Sequence, residues 1–403
     1  MGDVDNPLSA LEVGDYGQNT PVVIVVGRVN SLAPKRWQRA REAEARSDQA
    51  GFWYRLSIFV MRFPIGVAIA GTAVLLVLGA PFLGIKLTGV DASVLPSDSA
   101  AKKVDTVLRT EFPGADTSPI LVAVKAPESA KAELTTYATE LVGLDHASQV
   151  VTPRFIGDGT WRIDVIPEDR ALAESSRALV KDVRAVNAPA PALVGGESAE
   201  HADQLGAIGR GLPLAVTILA ALTFVTLFLI TGSVILPIKA LLMNLLTVSA
   251  TFGILVLIFQ DGRLEGPLGY TSQGALESTQ PVFLFAVAFG LSTDYAVFLL
   301  TRIKEARDAG AGERESVALG IQRTGRIVTA AALLFAIALG AFATSQIIFI
   351  KELGIGTALA VLIDATIVRA FLVPSLMAIL GHRNWWAPAP LRRLHNRIGL
   401  SEA

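Results

Sequence analysis

Six long apolar stretches, separated by polar and charged residues, set the pattern of this chain. The first runs from about Phe63 to Ile85 without a charge. The second and third lie between Arg210 and Asp261, divided by an expected turn at Pro237, Ile238 and Lys239. The fourth runs from about Pro281 to Thr301 and carries Asp294; the fifth runs from Ile327 to Ile350 between Arg326 and Lys351. The sixth, about Leu353 to Leu380, carries Asp364 and Arg369. A bilayer core takes ~20 apolar residues in helical form, so each stretch is predicted to cross a membrane. Six buried helices of a water-soluble protein would not need this length, nor the Arg and Lys that fence most of the stretches.

Between the first and second stretches the pattern changes. A helical pattern at Ala100 to Glu111 precedes a strand at Ile120 to Lys125 and an amphipathic helix at about Glu128 to Leu144. Strands near Val150 to Ile156 and Trp161 to Ile166 follow, then a helix at about Arg170 to Val186 and a strand near Ala192 to Val194. The order β-α-β-β-α-β is the split βαβ arrangement, and Gly157, Asp158 and Gly159 supply the hairpin turn. The predicted fold class is an α-helical polytopic membrane protein with six transmembrane helices and an extracytoplasmic, ferredoxin-like α+β domain.

Charge placement gives the topology. The segment before Phe63 holds eight Lys and Arg residues, the segment between the fourth and fifth stretches six, and the tail four. The loop from Asp261 to Gln280 has only Arg263. By the positive-inside rule both termini are cytoplasmic. The 86–210 segment, with 18 acids against 13 bases, lies outside. Trp53, Tyr54, Trp385 and Trp386 sit at span ends, as interfacial aromatics do. The expected organisation is therefore a cytoplasmic N-terminal segment and linker over residues 1–50, with a short apolar run at Pro21 to Val26. A first transmembrane helix follows over 51–85, then the outside domain over 86–210. A five-helix bundle over 211–380 contains a cytoplasmic amphipathic connector over 302–326, and a cytoplasmic tail covers 381–403. The chain is expected in the cell membrane.

Composition narrows the function. Apolar residues make up 52% of the chain and charged residues 18%, against about 25% charged in ordinary globular domains. A net charge of −1 argues against nucleic acid as a partner. There is no cysteine, and the four histidines have no ligand spacing, so no metal or cofactor is expected. Neither a G-K-[ST] phosphate loop nor a hydrolase signature is present, so the chain is not expected to be an enzyme.

The candidate chemistry lies in ionisable groups inside the spans, which by default mark an ion path or a pair. Asp294 follows Ala286 and Gly290 on one helical stripe. Small residues admit a neighbouring helix, so Asp294 is expected to face the bundle interior, with Ser292 and Tyr295 able to pass a proton. The plainer reading is an acid that only fixes packing. Gly356, Ala360 and Asp364 repeat the stripe, and Arg369 follows five residues on. Structural pairing and a functional relay are equally open for Asp364 and Arg369. The Ala332, Ala336, Gly340 stripe reads as close packing, and Asn244 as a packing hydrogen bond.

The run GLSTDYAVFLLTRIKEARDAG, followed by ESVALGIQRTGRIVTAAALLF, ALAVLIDATIVRAFLVPSLMAILGHRNWWAP and LRRLH, resembles the MMPL family of the resistance–nodulation–division superfamily. GFWYRLSIFVMRFP and VGGESAEHAD extend the resemblance over roughly residues 51–395. It implies a proton-driven exporter of lipids or other hydrophobic compounds, with a proton relay at Asp294 and Tyr295 and an external porter domain. Full-length members carry two repeats, whereas this chain resembles the second alone. The resemblance thus implies a half-transporter that works with a second half or as a homo-oligomer among membrane lipids. The alternative is a non-transporting membrane subunit or scaffold, a half protein similar to SecD/SecF, or an inactive fragment.

Overall fold

The computed structural model describes residues 51–95, 99–111 and 118–398; the expectations for residues 1–50 lie outside these. Among the described residues six helices are long and apolar enough to cross a membrane: Pro64–Gly84, Glu197–Thr231, Ile235–Gln260, Gln280–Asp308, Glu313–Thr344 and Ile348–Trp385. The chain is a multi-pass membrane protein with a small α+β domain.

An amphipathic helix α1 (Phe52–Arg62) leads into α2 (Pro64–Gly79), the first span. The break falls at Phe63, because Pro64 offers no N–H to continue the ladder and suits a first helical turn. After the two-residue strand β1 (Leu87–Thr88) and helix α3 (Ala100–Glu111) comes the sheet domain. It consists of β2 (Ile120–Lys125), α4 (Lys131–Val142), β3 (Ala147–Val150), β4 (Arg154–Gly157), β5 (Thr160–Pro167), α5 (Glu174–Ala185) and β6 (Ala192–Gly195). The strand order is β3-β5-β2-β6, with β4 also on β5, and all these pairings are antiparallel. This is the expected split βαβ sheet. The strand expected near Val150 to Ile156 is two short strands instead, with register shifts in both pairings to β5. Gly157, Asp158 and Gly159 all take positive φ in the hairpin turn. Alternation places Ile120, Val122 and Val124 of β2 against Leu134, Tyr137 and Leu141 of α4 and Leu179, Val180 and Val183 of α5. Among the described residues the opposite face carries no such cover, as an antiparallel sheet allows.

From β6 the chain enters α6 (Glu197–Thr231), 35 residues without interruption. The turn that follows lies at 232–234, not at Pro237 to Lys239. Gly232, at φ 68°, ends α6 in the left-handed region. Ser233 Oγ accepts from the Ile235 and Leu236 backbone N–H groups, and Pro237 falls in the first turn of α7 (Ile235–Leu255), where proline is tolerated. The next span helix, α8 (Gln280–Asp308), is preceded by β7 (Leu276–Glu277), which pairs in parallel with β1. The amphipathic connector expected over 302–326 is no helix of its own but the ends of two long helices with a turn between them. Helix α8 continues to Asp308, the chain turns at Gly310, and α9 (Glu313–Gly340) runs on as the fifth span. That span ends in a 3-10 turn, Ala341–Thr344, rather than at Ile350. Ile348 already belongs to α10 (Ile348–Ile363). A π-helical stretch, Asp364–Leu372, links α10 to α11 (Val373–Leu380), and α12 (Ala389–Ile398) closes the described chain.

The bundle has two apolar centres. One, with Met61, Leu227, Leu299, Ile303, Leu372 and Met377, lies towards the basic end. The other, with Phe252, Phe259, Leu276, Leu284 and Ile348, lies towards the sheet domain. Helices α2 and α7 cross so closely that a Cβ on Gly253 would stand 1.9 Å from Leu78 O.

Candidate functional site

Helix α8 is fixed at its start by a buried acid. Glu277 accepts hydrogen bonds from the backbone N–H groups of Thr279 and Gln280, at 3.0 and 3.1 Å, and from the Thr279 hydroxyl. These are free donors of the first turn, which a carboxylate satisfies while also favouring the positive end of the helix dipole. Glu352, 1% exposed, accepts from the Glu277 N–H at 3.4 Å. The neighbouring Lys351 donates to the Leu268 and Gly269 carbonyls. Neither glutamate stood out in the sequence, because each lies at the end of an apolar stretch rather than inside one.

Three turns further along α8, Ser292 meets the sixth span. Its Oγ is 2.7 Å from Asp364 Oδ1 and 2.5 Å from Asn244 Oδ1. Arg369 Nε donates to Asp364 Oδ2 at 2.7 Å, Nη2 lies 2.6 Å from the same oxygen, and Nη2 also donates to Ser292 O at 3.0 Å. The Arg369 guanidinium stands 4.8 Å from the centre of the Tyr295 ring, a cation–π contact. Asp364 is 5% exposed, Arg369 7% and Asn244 3%.

The π-helical stretch explains how residues five apart pair. In an α-helix, positions i and i+5 lie on different faces, whereas a π-helix bonds i to i+5 and stacks them. The stripe before it packs as the sequence suggested. Ala360 is buried, and a Cβ on Gly356 would lie 2.9 Å from Leu255 and Leu284 side-chain carbons. Ala332 and Ala336 are buried on α9, and a Cβ on Gly340 would reach Ala358 at 3.9 Å.

The other stripe departs from expectation. Ala286, Gly290 and Asp294 are exposed on the surface of this chain, and a Cβ on Gly290 would touch nothing within 4 Å. Asp294 therefore does not face the interior of its own bundle. The reason is angular: Ser292 occupies the inward face, and Asp294, two residues on, is turned about 200° from it on a helix of 3.6 residues per turn. Tyr295 is half-buried between the two faces. The structure thus joins Ser292, Tyr295, Asp364 and Arg369 into one cluster, adds Asn244, and leaves Asp294 beside it on an open face. Asn244 has no charge and sits in an apolar run, so only the structure reveals its partner. No group of three or more His, Cys, Asp or Glu suited to a metal occurs among the described residues.

The arrangement is a buried ion pair with polar groups on both sides. Removing one member of such a pair costs about 3–5 kcal/mol. The hydroxyl of Ser292 has one hydrogen for two neighbours. With Asp364 ionised it donates to that carboxylate; with Asp364 protonated it accepts from Asp364 and donates to Asn244. Ser292 thus links α7, α8 and the sixth span through a single hydroxyl.

Comparison with known proteins supplies the family. Residues 163–398 match the model of the MMPL family. The chain belongs to the MMPL family. It is 37% identical over 369 residues to the membrane protein SCO6666 of Streptomyces coelicolor, covering 90% of this chain and 51% of that protein. It is 36% identical over 396 residues to the trehalose monomycolate exporter MmpL3 of Mycobacterium tuberculosis, covering 92% of this chain and 41% of MmpL3. The mycolic acid-containing lipids exporter MmpL11 of Mycolicibacterium smegmatis is 34% identical over 406 residues, covering 96% of this chain and 42% of that protein. The chain spans about half the length of the curated relatives it matches. The MMPL chain described here is thereby placed in the resistance–nodulation–division superfamily, as its Asp-Tyr motif suggested.

Proposed function

We propose that this MMPL chain is one half of a proton-coupled exporter of lipids or lipid-like hydrophobic compounds, working with a second half or a second copy. The observation that carries the reading is the cluster of Asn244, Ser292, Tyr295, Asp364 and Arg369 inside the bundle, one residue away from an exposed Asp294. An intramembrane acid open to lipid is costly, so the face that bears Asp294 is suited to a partner bundle. Asp294 would take a proton there. Tyr295 would connect it to the Asp364–Arg369 pair, and the change in hydrogen-bond direction at Ser292 would bias the packing of α7 and α8. The membrane potential supplies ~2.3 kcal/mol per charge per 100 mV. The basic residues favour an orientation with both termini in the cytoplasm; the sheet domain would then lie outside, where cargo would pass through it or along the groove beside the first two spans. The lipid class is supported by the exporter names of MmpL3 and MmpL11.

Replacement of Asp294 by Asn in the producing cell should abolish lipid export while leaving the protein in the membrane at its usual level. Export at the normal rate by that variant would reject the relay.

A further inference from the structure

A narrow cavity lies inside the bundle between α7, α8 and the sixth span, with about 30 Å³ of room for the centres of water-sized molecules, enough for two or three waters at about 10–15 Å³ each. At one end it reaches Asn244, Ser292, Asp364 and Arg369; at the other it reaches Lys239. Between them the walls are apolar, formed by Ala240, Met243, Leu300 and their neighbours. Two buried donors at the inner end, Asn244 Nδ2 and Arg369 Nη1, have no partner among the described residues. A buried donor left unpaired costs about 1–3 kcal/mol, and a polar site with two or more such groups is where ordered water sits. Lys239 is half-buried and donates to Asn384 Oδ1 at 2.5 Å, and Asn384 in turn donates to the Met377 and Gly381 carbonyls. That places Lys239 at the basic end of the bundle, beside the 232–234 turn, with Ser233 Oγ donating to Asn384 O.

We propose that this cavity is a water-filled inlet joining the Asp364–Arg369 pair to the aqueous phase at the basic end of the bundle, with Asn244 and Lys239 as its inner and outer polar stations. The inference rests on the proton-relay reading and deepens it by giving the proton a route to one of the two phases. Five residues of α7 separate Lys239 from Asn244, about 7.5 Å at 1.5 Å per residue. That distance is filled by about two or three waters in file at the usual O–H···O spacing. The wall between offers no polar group that would hold a larger solute. The donors at the inner end need an acceptor, and water supplies one while also carrying protons. The charged groups that line the cavity are Lys239, Arg369 and Asp364.

The natural absence of cysteine makes the test direct, since one introduced thiol is the sole label. Ala240→Cys and Met243→Cys line the cavity, whereas Leu242→Cys and Leu245→Cys stand at the same depth on the outer surface of α7, 57% and 60% exposed at the native residues. Only a thiol in contact with water ionises and reacts. In membrane vesicles with the basic end outward, the cavity cysteines should react at least tenfold faster than the two outer ones with silver ion, which is no wider than a water molecule. Vesicles of the opposite orientation should show no such difference. Equal, slow reaction at all four positions, or reaction from the domain side only, overturns the inlet. Labelling reads hydration without requiring transport. A dry cavity together with loss of export in Asp294→Asn therefore removes the inlet alone. A wet cavity with normal export by that variant removes the relay alone.

Discussion

Ser292 has one hydrogen to give, and the two oxygens that want it belong to different spans. In the proposed relay it reports the state of Asp364 to Asn244, so Ser292→Ala should leave the fold intact, at a cost of about 1 kcal/mol or less, while transport drops sharply. Melting in detergent beside an export assay would separate the two. Arg369 acts differently, because it holds the charge of Asp364. Arg369→Met should lower stability by about 3–5 kcal/mol. The double change Asp364→Leu with Arg369→Met should regain most of that stability without regaining export; if it melts like the single variant, the Asp364–Arg369 charge pairing is not the source of the loss. Much of this chemistry was legible in the sequence, since charges inside apolar runs announce themselves. Pairing of Asp364 with Arg369 was one of the two readings the sequence left open, but the means was not legible, because residues five apart meet through a π-helical stretch that no periodicity rule anticipates. Asp294 was legible as a candidate but not as exposed. Small residues beside it signal close packing without saying whether the neighbour belongs to the same chain.

The elements show where local signals failed and why. The division between the second and third spans was expected at Pro237, the strongest breaker by composition, yet Gly232 and Ser233 make the turn and proline is absorbed into a first helical turn. The charged run over 302–326 suggested an interfacial helix, but it is the continuation of two spanning helices past the apolar zone. The sheet domain was read more faithfully, since alternation in β2 and β5 and the Gly-Asp-Gly turn are strong local signals. At the α2–α7 crossing, Gly253→Ala would drive a methyl into Leu78 O. A loss of about 1–3 kcal/mol or more should follow, measurable as a lower melting temperature. The helix α12 is held differently: His395 packs at the end of α6, edge-on to Phe228 at 5.9 Å. Burial, with Lys304 adding to it, holds its imidazole below the usual histidine value. A lowered folded-state pKa means that stability is present above the unfolded value near 6.5 and is lost as pH falls through the folded one. Proteolysis of the tail should therefore speed up below about pH 6.5, and His395→Phe should abolish that acceleration.

At the scale of the molecule, this MMPL chain accounts for about half of each relative, and its face with Ala286, Gly290 and Asp294 is open. Ala286→Cys should form crosslinks in membranes to a second half, or to a second copy carrying the same change, in good yield with a short reagent. A chain that remains entirely uncrosslinked under conditions where the thiol is reactive would count against a bundle on that face. The sequence revealed the number of spans and the sheet domain because both depend on length and pattern. Which surfaces stay uncovered depends on how helices rotate against one another, and that is settled only by packing. The unbroken helix α6 has a consequence of its own. It leaves the sheet at Gly196 and ends at the 232–234 turn, so 35 residues make a rod about 52 Å long shared by the domain and the membrane layer. Pro213 sits near its midpoint, where a missing N–H softens bending. Tilting the sheet domain by about 5° would swing the far tip, about 27 Å from Pro213, by about 2 Å, turning a mechanical lever about that one flexure.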